Sequence, residues 1–123
     1  MFGIYSKTEG ECKMIDLNKE NWDEEVVNYA EKPVFVDFWG DKCEICKQLM
    51  PGVHDLEKVY GDKLKFTSLN TTGSRRLAIA QKVLGLPAMK IYKNGEAVET
   101  ITADKITSLE DIEAFIKAYY ETL

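Results

Sequence analysis

The run Val34-Phe35-Val36-Asp37-Phe38-Trp39 constrains the fold more than any other part of this chain. Successive side chains of a strand point to opposite faces of its sheet, and here apolar residues occupy both sets of positions. A strand of that kind belongs in the middle of a sheet covered on both sides. The segments around it supply the cover. Asn21 to Ala30 has helical spacing, with Trp22, Val26, Val27 and Ala30 on one side, and it stops before Pro33. A helix is expected from Cys43 to about Tyr60, kinked at Pro51, because proline lacks a backbone donor and clashes with the preceding turn.

The remaining elements follow the same logic. Cys12 to Leu17, Leu64 to Leu69 and Ala88 to Tyr92 read as strands. Thr71-Thr72-Gly73-Ser74 reads as a turn that caps a helix over Arg75 to Val83. Lys93-Asn94-Gly95-Glu96 predicts a hairpin, since Asn-Gly tolerates the positive φ angles of a tight turn, and Ala97 to Thr102 is the return strand. Thr107 and Glu110 form a capping box for a last helix. On it Leu109, Ile112, Ile116, Tyr119 and Leu123 share one face, with Phe115 beside them. Strands alternate with helices early and a hairpin comes late. The order predicts an α/β fold: a central mixed β-sheet with helices on both faces.

Composition narrows the function. At 123 residues the chain is one domain, 1–123, and 45% hydrophobic content is ordinary for a globular fold. Sixteen Lys and Arg against twenty-one Asp and Glu leave a net charge of −5, so no nucleic-acid or membrane partner is expected; both require a positive field. Met1 to Gly10 lacks the apolar core of a secretory signal, and no stretch is long enough to span a membrane, so the cytoplasm is the expected location. Nothing demands more than a monomer. His54 is the sole histidine, which excludes chemistry needing two, and three cysteines do not make the framework of a small secreted scaffold.

The chemistry lies in Trp39-Gly40-Asp41-Lys42-Cys43-Glu44-Ile45-Cys46-Lys47. Two cysteines at i and i+3 at the start of a helix lie one turn apart, close enough for a short-range disulfide. Cys43 falls at the helix N-terminus, where unpaired N–H groups and the macrodipole favour a thiolate, and Lys42 adds a positive neighbour while Glu44 opposes it. Cys46, a turn deeper, is more shielded and suited to resolve a mixed disulfide. The same pair is also half of many zinc sites. Only Cys12 and His54 remain to complete one, and no bound metal or cofactor is expected. His54 reads as a helix-surface residue and Cys12 as a small strand residue. Asp37 reads either as a carboxylate at a wet edge or as a buried acid beneath the cysteines. The covered faces of its strand favour burial, which raises a carboxyl pKa and suits it to exchange a proton with Cys46. Pro87, taken alone, is a helix terminator.

Taken in order, Val34–Trp39, the Cys43–Cys46 pair with Lys47, Pro51, Gly85-Leu86-Pro87 and Tyr92-Lys93-Asn94-Gly95-Glu96 resemble the thioredoxin family from about Lys32 to Leu123. The resemblance implies that the chain is an enzyme, a protein-disulfide reductase working through a reversible Cys43–Cys46 couple. It implies that Cys43 is the nucleophile, Cys46 the resolving thiol and Asp37 the proton-handling acid. It places Trp39 beside the active site and makes Leu86-Pro87 a cis bond facing the disulfide, with the Leu86 backbone pairing with an extended substrate. Lys42, Glu44 and Ile45 then border the substrate groove. The partners it implies are protein disulfides and an NADPH-dependent flavoprotein thioredoxin reductase. The chain departs from the family pattern at Glu44-Ile45, Lys42, Ser68, Ala88 and Thr102, the last in place of a glycine common on the rim of the substrate groove. Met1-Phe2-Gly3-Ile4-Tyr5 and Lys47-Gln48-Leu49-Met50-Pro51 are similar to thioredoxins of amino-acid-fermenting anaerobes. Two alternatives follow: a dedicated electron carrier for one enzyme system such as glycine reductase, or a non-catalytic or metal-binding module on the same fold.

Overall fold

The computed structural model describes residues 14–123. Five strands form one sheet in the order β1-β3-β2-β4-β5: β1 (Ile15–Leu17), β2 (Val34–Trp39), β3 (Lys65–Asn70), β4 (Ala88–Lys93) and β5 (Glu96–Ile101). The pairs β1–β3 and β3–β2 are parallel, whereas β2–β4 and β4–β5 are antiparallel. The sheet is therefore mixed, and β2 lies at its centre, as the two-faced apolar pattern requires.

The two faces of β2 feed two cores. Phe35 packs on the face covered by α1 (Glu44–Tyr60) and α3 (Leu109–Tyr120), against Val53, Leu56, Ile112 and Ile116. Val34, Val36 and Phe38 pack on the opposite face with Trp22, Val26, Leu69 and Tyr92. Burial of each such large apolar side chain stabilises the fold by about 1.5–3 kcal/mol. On this second face lies α2 (Arg75–Ala80), whose Leu77 joins the cluster. The start of α3 comes close to α1 at Gly52, where an added Cβ would sit 2.5 Å from Leu109 Cδ2. Glycine at this position is what the approach of the two helices needs.

Several boundaries differ from the sequence expectation. Between Asn21 and Ala30 the chain makes one wide π turn, Asp23–Val27, closed by the Asn28 N–H donating to the Asp23 carbonyl at 2.8 Å. The apolar residues that suggested a longer helix are satisfied by one turn: Trp22 and Val26 are buried while Val27 is exposed. The helix expected to Val83 ends at Ala80, and Lys82 takes a left-handed conformation (φ 63°). The cap of α3 is displaced by one residue. Asp111, not Glu110, turns back, accepting from the N–H groups of Thr107 and Ser108 and from the Thr107 hydroxyl. Leu123 lies beyond the helix and is exposed. α1 is continuous through Pro51. Cys12 and Met1 to Tyr5 lie outside the described residues.

Candidate active site

β2 delivers the chain to the site at one end of the sheet. After Trp39 the backbone turns through Gly40–Asp41–Lys42, and the Cys43 N–H closes the turn on the Gly40 carbonyl at 3.1 Å. Gly40 is buried against the Leu86 loop, and a Cβ there would lie 3.0 Å from Leu86 Cδ1. Three hydrogen bonds hold this turn to the end of β3. The Thr71 hydroxyl donates to the Trp39 carbonyl (2.9 Å), the Asp41 N–H to Thr72 Oγ1 (2.9 Å), and Asn70 Nδ2 to Asp41 Oδ1 (2.8 Å). From sequence, Thr71 and Thr72 are expected only as helix-capping turn residues, and Asn70 carries no expectation. Their polar cluster at a strand end was the available signal.

Cys43 is the N-cap residue of α1, and it is joined to Cys46 in a disulfide with a Cα–Cα separation of 5.3 Å. The Cys46 N–H donates to Cys43 Sγ at 3.3 Å. The two sulfurs differ in access. Cys43 is half-buried at the surface, whereas Cys46 retains 2% of its exposure. Asp37 lies two residues before the end of β2 and alternates onto the α1 face with Phe35. It is likewise 2% exposed, and burial pushes its carboxyl up to about 7. The wet-edge reading of Asp37 is therefore excluded.

An open cavity of about 640 Å³ adjoins the disulfide, lined by Cys43, Lys42, Leu86, Arg75, Ile79 and Leu84 among others. Of the expected groove residues it gathers Lys42 and Leu86. Glu44 and Ile45 are exposed on the first turn of α1, where Glu44 pairs with Lys47 at 3.4 Å. Trp39 is half-buried and Pro87 is buried behind the cis Leu86-Pro87 bond, and neither lines the cavity. His54 is exposed. Among the described residues no three His, Cys, Asp or Glu side chains are grouped to hold a metal ion.

The thioredoxin family profile matches residues 13–118. The chain belongs to the thioredoxin family. It is 44% identical over 106 residues to a thioredoxin of Acetoanaerobium sticklandii, covering 86% of this chain and 99% of that one. It is also 44% identical over 103 residues to a thioredoxin of Peptoclostridium acidaminophilum, covering 84% and 92%. Among solved structures, Malassezia sympodialis thioredoxin superposes with a TM-score of 0.76 at 20% identity, covering 88% of this chain and 91% of that one, which shows the shared fold. The protein is thus a thiol–disulfide oxidoreductase that reduces protein disulfides, and its redox-active group is the Cys43–Cys46 pair. Neither the dedicated-carrier nor the non-catalytic alternative gains support. No helix among the described residues is long and apolar enough to cross a membrane.

Proposed function

We propose that Cys43 is the attacking sulfur, Cys46 the resolving sulfur and Asp37 the acid–base group of this thioredoxin. The observation that carries the assignment is the unequal access of two bonded sulfurs, one at a helix N-cap and half-buried, the other 2% exposed. In the reduced protein the Cys43 thiolate attacks one sulfur of a substrate disulfide. The substrate S–S bond breaks, and its other sulfur leaves as a thiolate that takes a proton from water. Cys46 gives its proton to Asp37 and attacks Cys43 Sγ. The mixed disulfide breaks, the second substrate thiol departs, and two electrons have passed from the dithiol to the substrate. Asp37, titrating near neutrality, both accepts that proton and returns it.

The chain works as a single monomeric domain in the reducing cytoplasm. An extended substrate segment pairs with the Leu86 backbone beside Trp39, Glu44, Ile45 and Pro87, and an NADPH-dependent flavoprotein reductase restores the dithiol. The test is reduction of insulin by dithiothreitol, with wild type and Cys43→Ser compared. Wild type accelerates the reaction and Cys43→Ser does not. Full activity in the variant contradicts the assignment.

A further inference from the structure

Lys90 occupies a position where a lysine is costly. It is the third residue of β4, a strand in which the first five residues are buried, and it keeps only 8% of its exposure. It alternates with Ala88 and Tyr92 on the α2 face, flanked by Val36 on β2 and Thr100 on β5. Stripping part of the hydration from an ammonium group is costly unless acceptors replace it. Nζ donates to Thr100 Oγ1 at 3.2 Å, and among the described residues Lys90 forms no ion pair. An ammonium carries three donors. Burial and the charge of Lys82 both lower its pKa, so the site is short of negative charge.

The surroundings form a cavity of about 360 Å³ lined by Lys82, Lys90, Thr100, Thr102 and Asp104, together with Val83, Leu84 and Gly85. Thr100 Oγ1 accepts from Lys90, which leaves the threonine proton free to donate. Asp104 is the one carboxylate of the lining. Its oxygen accepts from the Thr102 hydroxyl, and that bond keeps it ionised. Two cations therefore face one engaged carboxylate in a chain whose net charge is −5.

Position supplies the occupant. Val83, Leu84 and Gly85 line this cavity and also the one that holds Cys43. Leu84 stands 95% exposed on the ridge between them. A polypeptide whose half-cystine lies at Cys43 and whose chain crosses Leu84 sets a neighbouring side chain down beside Lys90. We infer that the Lys82–Lys90–Thr100 cavity binds an aspartate or glutamate side chain of the disulfide-bearing partner, and so selects substrates with an acidic residue near the reacting cystine. This rests on Cys43 being the attacking sulfur.

The test uses cystine-bridged peptides that place Glu, or Gln as its neutral counterpart, successively further from the reacting half-cystine. At one spacing, wild type should show kcat/KM about tenfold higher for the Glu peptide, the size expected when a buried charged hydrogen bond is gained. Lys90→Met should bring the ratio to about one. Lys90→Arg, which keeps the charge, should retain a preference. Lys82→Gln, at the exposed rim, should lower the ratio and carries the test if Lys90→Met does not fold. A ratio near one at every spacing in wild type, or one unchanged in both neutral variants, overturns the inference. So does inorganic phosphate raising the Tm of wild type but not of Lys90→Met while no Glu preference appears, because the cavity is then a free-anion site. A wild type that reduces none of the peptides contradicts the dithiol assignment instead.

Discussion

The backbone N–H of Cys46 donates to Cys43 Sγ at 3.3 Å. Cys46 sits in the first turn of α1, where N–H groups have no carbonyl to accept them within the helix. The sulfur of the N-cap residue takes the place of that carbonyl. A thiolate accepts such a bond more strongly than a thiol does, because a charged partner makes the bond shorter and stronger. The helix macrodipole acts in the same direction. The Cys43 thiol of the reduced protein should therefore titrate below the free value of about 8.5. The rate of iodoacetamide alkylation at Cys43 against pH measures this directly. A midpoint at or above the free value contradicts it.

Asp37 should make stability depend on pH. Its folded-state carboxyl is raised to about 7, while in the unfolded chain it titrates near ~3.9. Below the unfolded value both states are protonated and Asp37 has no effect. As pH rises towards 7 the unfolded chain ionises first, so the folded state loses stability, by at most about 4 kcal/mol once both are ionised. Asp37→Asn removes that loss. The oxidised variant should match wild type near the unfolded pKa and exceed it progressively up to neutrality, in urea melts across pH. It should also slow disulfide exchange, at least tenfold, given that a positioned acid–base group contributes about a hundredfold or more. Parallel stability curves together with unchanged kinetics mean that Asp37 does neither job.

The burial of Asp37 was legible because β2 carries apolar residues on both faces, so any polar residue within it had to be covered. The N-cap position of Cys43 was legible from local spacing. What stayed hidden depended on neighbours distant in sequence or on ambiguous local chemistry. The hydrogen bonds of Asn70, Thr71 and Thr72 to Trp39 and Asp41 span about thirty positions, and a polar turn does not declare such partners. Thr107-Ser108 faces Glu110-Asp111, so two registers of the same cap compete, and the structure uses the later acid. Lys90 falls within the strand Ala88–Tyr92. Its burial comes from the cover over that face, which no local pattern reports.

A side chain at Gly95 should destabilise the hairpin between β4 and β5. Gly95 has φ +83°, and a Cβ there would lie 3.1 Å from the Val27 carbonyl oxygen. The left-handed conformation and the backbone contact both oppose alanine. Gly95→Ala should cost about 1–2 kcal/mol in chemical denaturation. The dithiol lies away from this turn, so the folded variant should reduce insulin at the wild-type rate. An undiminished denaturation midpoint contradicts the argument.

Cys43 and Cys46 divide the labour of disulfide exchange. Cys46→Ser lacks the resolving sulfur, so its attack on a substrate disulfide should stop at the mixed disulfide. Reduced variant incubated with a cystine-bridged peptide, then digested and weighed by mass spectrometry without reductant, shows where the peptide is attached. One stable adduct is expected, on Cys43, and dithiothreitol should release it. An adduct on Cys12 in its place, or rapid turnover with no adduct, contradicts that division of labour.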